Sequence, residues 1–351
     1  MNVCHLVFRT DSLTYTVAKA LSVGGHDVFI RVVDRDQDQK HAGGIQKRLR
    51  ETPRVRIIAG TGSGFPAVID RLIVQVYPRP VESTRHIDPL ASRARKISII
   101  SAGDRSRSWR GAMQLQWLEV RRFARYAHKV DRVLYKDGFY PRDLLGLFKS
   151  RRNLGFDVHS QFLHDEELRL AIHARDWDPG ARRPILANFL GCRDPAVREH
   201  VLDEVRSYFR STNGGSASAQ SGKGMYWHEY PDAAPVGIEP LEFLKVLSSS
   251  DFTLCPRGYS LVTHRPIEAL LRGSIPVLAI DELDLYGIGL ADGENCVGVP
   301  AGQWPDAAPR IASIAESEIV RMRGNIHGMF AEQLRYEAVA NGICVRLGTE
   351  G

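Results

Sequence analysis

Apolar and polar positions follow one another along this chain in two alternating periods. Val3 to Phe8 is a short apolar run, and over Leu13 to Val23 the residues Leu13, Val17, Ala20 and Leu21 share one side of a helix. Gly24-Gly25 stops that helix, and Asp27 to Val33 is rich in β-branched residues, as a strand is. Val55 to Ala59, Leu72 to Tyr77, Ile97 to Ile100 and Arg132 to Tyr135 repeat the strand signature, each bounded by Gly, Pro or polar residues. Strands separated by helix-length segments need crossovers, which predicts a parallel, doubly wound sheet.

The pattern lapses over residues 160 to 180, which are polar and end in Asp178-Pro179-Gly180, and then resumes. Pro184 to Leu190 predicts a strand ending at Gly191. Asp194 to Phe209 predicts a helix with Asp194 as N-cap and Pro195 in its first turn. Residues 211 to 224 form a small-residue loop. A helix from Pro240 to Leu247, a strand from Phe252 to Cys255, a short helix ending at Arg272 and a strand from Ile275 to Ile280 follow, and Pro309 to Ala340 is mostly helical. The expected organisation is an α/β chain of two Rossmann-like domains with a helical tail. Its parts are an N-terminal domain over 1–165, a linker over 166–181, a second domain over 182–308 and a tail over 309–351. Two such domains predict a ligand between them, at the carboxyl ends of the strands.

Composition narrows this picture. The length of 351 residues suits two domains, and no apolar run approaches the roughly 18 residues of a membrane helix. The N-terminus lacks a basic region and reads as a first strand, not a signal peptide. The five cysteines, Cys4, Cys192, Cys255, Cys296 and Cys344, show no metal-binding spacing. Free thiols in a reducing compartment follow, and with them a cytoplasmic location or a peripheral one at the inner face of a membrane. The net charge of +6 is unevenly placed: Arg85 to Arg152 holds 17 Lys/Arg against 6 Asp/Glu. Such a region is either a solvated basic surface or one that meets an anionic partner.

Three local patterns imitate ligand sites. Gly60-Thr61-Gly62-Ser63-Gly64 has its third glycine one residue too early for a dinucleotide loop, and reads as a glycine-rich turn. The run ending in Gly222-Lys223-Gly224 has Ala217 where a P-loop needs its first glycine and Gly224 where it needs Ser or Thr, and reads as a flexible surface loop. Asp34-Arg35-Asp36 is an acidic pair at a strand end, able to hold a divalent cation, but it lies in a polar stretch after only the second strand. No metal or other cofactor is expected.

Asp251 to Ile280 is the most informative stretch. Pro256-Arg257-Gly258 breaks a strand, a loop runs through Tyr259 and Ser260, Thr263 is placed as an N-cap, and Pro266 fits the first helical turn. Gly273 ends the helix, and Pro276 marks the start or edge of the next strand. Backbone amides at such a helix start suit a phosphate. Arg265 adds a bidentate cation, and Glu268, three residues on, projects from the same face as an acceptor for ribose hydroxyls. The local alternative is a surface pair between Glu268 and Arg272 at i, i+4.

The segment resembles the donor domain of the exostosin-like glycosyltransferases. The family pattern is matched by Leu254-Cys255-Pro256-Arg257-Gly258, Thr263-His264-Arg265, Glu268-Ala269 and Gly273-Ser274-Ile275-Pro276-Val277, with Ser274 where the family usually has cysteine. Arg183 to Gly191, with Arg198, is similar to the family's entry into this domain, so the resemblance covers residues 182 to 300. It implies a glycosyltransferase-B architecture and a uridine-diphosphate sugar as donor, with inverting, metal-independent transfer. It also implies that Arg257, Gly258, Ser260, Thr263 and Arg265 serve the diphosphate and Glu268 the ribose.

An inverting transfer needs a general base. Asp11 and Asp104, each following a strand of the first domain, are the candidates, and each also fits a helix cap. Met113 to Lys129 reads as an amphipathic helix with Arg121, Arg122, Arg125 and Lys129 opposite Met113, Trp117 and Val120. Those cations suit an anionic membrane surface, a lipid-linked or other glycan acceptor with a reactive hydroxyl, or a nucleic acid. A nucleotide-sugar epimerase and a non-catalytic or nucleic-acid-binding protein are the alternatives to a transferase.

Overall fold

The computed structural model describes residues 1–8, 11–33, 39–58, 64–76, 86–101, 123–135, 151–152, 170–172, 174, 176–192, 203–208, 223–230, 238–257, 263–300 and 302–349. The chain divides into two compact units, Met1–Leu163 with Tyr336–Gly351, and His164–Arg335.

In the first unit the strands β1 (Asn2–Val7), β2 (Asp27–Val32), β3 (Val55–Ile58), β4 (Ile69–Val76), β5 (Ala94–Ser101), β6 (Val130–Tyr135) and β7 (Arg151–Arg152) form one parallel sheet in the order β3-β2-β1-β4-β5-β6-β7. The order reverses between β1 and β4, which is where a doubly wound sheet opens a crevice for a ligand. Around it lie α1 (Ser12–Val23), α2 (Gln39–Glu51) and the single turn α3 (Asp88–Ala91). The apolar side of α1 is buried, with Val17, Ala20 and Leu21 fully inaccessible. The helix ends in a Schellman turn: Gly25 N donates to Ser22 O, His26 N donates to Leu21 O, and Gly25 takes a φ of +82°.

The second unit holds β8 (Ile185–Cys192), β9 (Gly224–Tyr230), β10 (Ser250–Leu254), β11 (Ile275–Ala279) and β12 (Val297–Val299), all parallel, in the order β12-β11-β10-β8-β9. Here the reversal lies between β8 and β10. Every residue of β10 and β11 is buried, as expected of strands covered on both faces. Pro276 is the second residue of β11, an inner strand and not an edge. Pairing with β12 begins only at Val277, so the missing N–H of Pro276 breaks no rung on that side.

The helices of this unit are α4 (Pro240–Ser248), α5 (Arg265–Leu271), α6 (Ala307–Ser313) and α7 (Glu316–Met329), and residues 203–208 are also helical. Ile172 and Trp177, from the stretch read as a linker, belong to its core. The C-terminal helices do not form one tail. The last, α8 (Tyr336–Leu347), returns to the first unit, where Val339, Ala340, Ile343, Cys344 and Leu347 share a core cluster with α1. Ser98 Oγ, on β5, donates to Leu347 O at 2.8 Å. Among the described residues no helix is long and apolar enough to cross a membrane.

Candidate functional site

The site in the second unit is built on the carboxyl ends of β10 and β11. Beyond β10 the ladder continues for one residue, with Cys255 N donating to Val277 O at 2.8 Å. Cys255 and Pro256 are buried and Arg257 emerges at the surface. Gly258 and Ser260 lie outside the described residues. The chain is described again at Thr263, whose N–H donates to the hydroxyl of Tyr286 at 3.1 Å. Tyr286 closes the 3-10 segment Ile280–Tyr286 that follows β11, and burial holds its hydroxyl well above the ordinary tyrosine range.

Thr263 is not the N-cap expected of it. The N-cap of α5 is His264, which has helical dihedrals and makes no side-chain cap. α5 has only 7 residues. Arg265, its first residue, has Nη1 3.3 Å from Glu268 Oε2, with the side chains 21% and 12% exposed. The guanidinium carbon sits 4.4 Å from the ring centroid of Phe243 on α4, and Nη1 makes no hydrogen bond. The expected face is therefore real: a fork-shaped cation and a carboxylate are held side by side. The alternative pair does not form, because Arg272 is only 8% exposed. It donates to Ala171 O (2.9 Å), Ala174 O (3.0 Å) and Ser248 Oγ (2.7 Å).

The helix end is fixed by Gly273. Gly273 N donates to Leu270 O and Ser274 N to Ala269 O, a Schellman turn with Gly273 at a φ of +66°. A Cβ at that position would strike the indole of Trp177. Ser274, the departure from the family's cysteine, is fully buried and shares a 2.7 Å hydrogen bond with Thr253 Oγ1, to which Asn188 Nδ2 also donates. This polar chain joins β8 and β10 to the turn that leads into β11.

Glu282, in the 3-10 segment after β11, was not singled out in the sequence. It is 3% exposed, and burial, then its neighbour Asp281, push its carboxyl up to about 8 against the opposing pull of Arg257. A buried acid that holds its proton more tightly than usual therefore lies within electrostatic reach of Arg257.

A second charged cluster lies at the other end of the same strand. Lys223 is no surface-loop residue: it is buried, with Nζ 2.7 Å from Asp251 Oδ2 and 2.8 Å from Glu316 Oε2. Arg323, fully inaccessible, pairs with the other oxygen of Asp251. Arg183 donates to Ser250 O at 2.8 Å, and its pKa falls to about 9 through burial first and the charges of Arg323 and Arg272 next. Asp251 is the second residue of β10, so this cluster sits at the amino end of the strand, away from the ligand-binding end. The cluster ties α7 and the residue that precedes β9 to β10.

In the first unit Asp11 is the N-cap of α1 in a capping box with Thr14. Its Oδ1 accepts from Thr14 N (2.9 Å), Thr14 Oγ1 (3.0 Å) and Gln75 Nε2 (3.1 Å). Next to it His5 is fully buried, and burial lowers its pKa to about 4, with Asp11 and Gln75 pulling the other way. Asp104, Arg121 and Arg122 lie outside the described residues, as do Asp34, Asp36 and Gly60 to Ser63. The expected basic helix does not reach Lys129. Residues Ala124–Tyr126 form a 3-10 turn, Arg125 pairs with Asp88 at 2.9 Å, and Lys129 Nζ donates to Ala91 O at 2.9 Å. Both cations are thus tied to α3 and do not line one helix face. Another acidic pair, Asp176 and Asp178, is engaged locally: Asp176 pairs with Arg272 at 3.2 Å, and Asp178 Oδ1 accepts from Gly180 N at 2.8 Å. Among the described residues no group of acidic, histidine or cysteine side chains could hold a metal ion.

Residues 145–291 match the family model described as the exostosin GT47 domain, and this span contains the Arg265–Glu268 site. Solved structures share the fold across the full chain. Sucrose-phosphate synthase from Thermosynechococcus elongatus has a TM-score of 0.55 at 11% identity, with 99% of each chain covered. A TarM variant from S. aureus, in complex with fondaparinux, alpha-GlcNAc-glycerol and UDP, gives 0.55 at 9% identity with 100% of each chain covered. HepE from Anabaena, in complex with UDP-glucose, gives 0.50 at 10% identity, again with 100% of each covered. The family match covers less than half of the chain, and the fold of the whole is that of the GT-B type.

Proposed function

From that family match and that fold, we propose that the chain transfers a sugar from a nucleoside-diphosphate donor, a uridine-diphosphate sugar in the first instance, to the hydroxyl of a glycan or lipid-linked acceptor. The observation that carries this reading is the Arg265–Glu268 pair at the carboxyl end of β10 and β11, a fork-shaped cation beside a carboxylate. Arg265 takes the diphosphate and stabilises the charge it gains as the glycosidic bond breaks. Glu268 accepts hydrogen bonds from the ribose. Arg257, with the Gly258 to Ser260 loop and Thr263, completes the phosphate side. Two proteins of the same fold are solved with UDP or UDP-glucose, which supports uridine as the first base to try.

The transfer is inverting and needs no metal. A base removes the acceptor proton as the hydroxyl oxygen attacks the anomeric carbon, and the diphosphate leaves from the opposite face. Asp11 and Asp104 are the candidates for that base, and the three hydrogen bonds that Asp11 Oδ1 already accepts favour Asp104. Calorimetric titration with UDP, GDP, ADP and CDP tests the donor site, and turnover of the matching nucleotide sugars in excess chelator tests the rest. Absence of binding by all four diphosphates overturns the reading. Loss of turnover on chelation, restored by manganese or magnesium, overturns metal independence and returns attention to Asp34 and Asp36. A free, altered nucleotide sugar formed without acceptor would favour an epimerase.

A further inference from the structure

Arg265 is held by two quite different neighbours. Glu268 lies at its edge, 3.3 Å from Nη1, in an ion pair that makes no hydrogen bond there. The guanidinium carbon lies over the ring of Phe243, 4.4 Å from its centroid. That approach is closer than the 5.4 Å of Arg206 over Trp227 or the 5.8 Å of the structural Arg183 over Trp177. The ring comes from the first turn of α4 and is half-buried, packed against the core of the second unit.

The two contacts do different chemistry. A carboxylate holds an arginine by neutralising it, which costs affinity for an anion. An aromatic face holds it through the ring quadrupole and leaves the charge and the in-plane N–H groups available. A stacked guanidinium also cannot swing about its long stem, so less freedom is lost when a diphosphate is bound bidentately.

We infer that Phe243 is the positioning residue of the donor site: its ring orients Arg265 edge-on toward the donor diphosphate, so that binding of the diphosphate, but not of the nucleoside, depends on an aromatic side chain at position 243. This rests on the donor reading of Arg265 given above. Phe243 touches no substrate, so its effect passes wholly through Arg265.

The test uses the full chain and calorimetric titration with the best-binding of UDP, GDP, ADP and CDP, and with the corresponding nucleoside. Phe243→Leu keeps the apolar volume and removes the ring. It should weaken the diphosphate by about 3- to 30-fold and leave the nucleoside unchanged. Phe243→Trp and Phe243→Tyr should restore most of the affinity, and these aromatic variants carry the test if the leucine variant does not fold. In an Arg265→Ala background the leucine substitution should have no further effect on the diphosphate. The inference is overturned if Phe243→Leu binds diphosphate as the wild type does, if diphosphate and nucleoside weaken together, if Trp and Tyr bind no better than Leu, or if the losses at 243 and 265 simply add. In each of these cases a loss in Arg265→Ala alone leaves the donor site standing. Wild-type protein that binds no diphosphate removes both readings.

Discussion

Gln75 Nε2 donates to Asp11 Oδ1 at 3.1 Å, and this bond ties the end of β4 to the turn that follows β1. The tie spans the point where the strand order of the first unit reverses. Asp11 is a helix cap and a clasp at once, and the two demands are met by one oxygen. Asparagine presents the same carbonyl oxygen. Asp11→Asn should therefore keep both stability and turnover, whereas Asp11→Ala should lose about 0.5–2 kcal/mol in urea unfolding. Turnover abolished in a fully stable Asp11→Asn would mean that Asp11, and not Asp104, is the base.

At the other site the prediction concerns affinity. Charge-assisted hydrogen bonds are worth about 1.5–3 kcal/mol. Arg265→Ala should weaken the best nucleoside diphosphate by roughly 10- to 150-fold. Arg265→Lys should recover only part of this, because an ammonium offers neither the fork nor a plane to stack on Phe243. Glu268→Gln should weaken a ribonucleotide more than its 2′-deoxy counterpart. Titrations in which both variants match the wild type would leave the pair without a ligand.

Two buried groups give stability a pH dependence of opposite sign. Glu282 holds its proton more tightly folded than unfolded, so stability present at pH 4 is lost as pH rises from about 4.5 to about 8. Glu282→Gln should flatten that slope and be the more stable protein at pH 9. His5 is protonated less readily when folded, so stability is lost as pH falls from about 6.5 to about 4. Urea unfolding between pH 4 and 9 measures both, and a wild-type profile flat across this range would contradict them.

Gly273 is required twice, by its φ of +66° and by the indole of Trp177. Gly273→Ala should cost about 2–5 kcal/mol. Trp177→Phe in the same chain should relieve the steric part and leave the backbone part. An alanine variant as stable as the wild type would mean that the α5–β11 turn is not as described.

Apart from β7, β9 and β12, the strands of both sheets were legible as apolar or β-branched runs, because most of their residues are buried. β9 was not, because Gly224–Tyr230 is a half-exposed edge strand carrying His228 and Glu229 in a sequence that looks like a loop. Arg265 and Glu268 were legible because they lie three residues apart on one helix. Phe243 was not, since its contact spans two helices and leaves no local pattern. Lys223 and Arg323 look like surface charges in the sequence, and only the fold brings both to Asp251. Thr263 was misplaced by one residue because a threonine just ahead of His264-Arg265-Pro266 looks like a cap, while the hydroxyl of Tyr286 takes its N–H instead.

The return of α8 to the first unit has a consequence for synthesis. A growing chain has made all the strands of the first sheet before it begins the second unit, yet the helix that covers α1 with Val339, Ile343 and Leu347 is translated after Arg335. The first unit therefore cannot complete its core until the residues after Arg335 have been made. Until then its open face, with Leu21 and Ile73 among its core residues, is what a nascent-chain chaperone would meet.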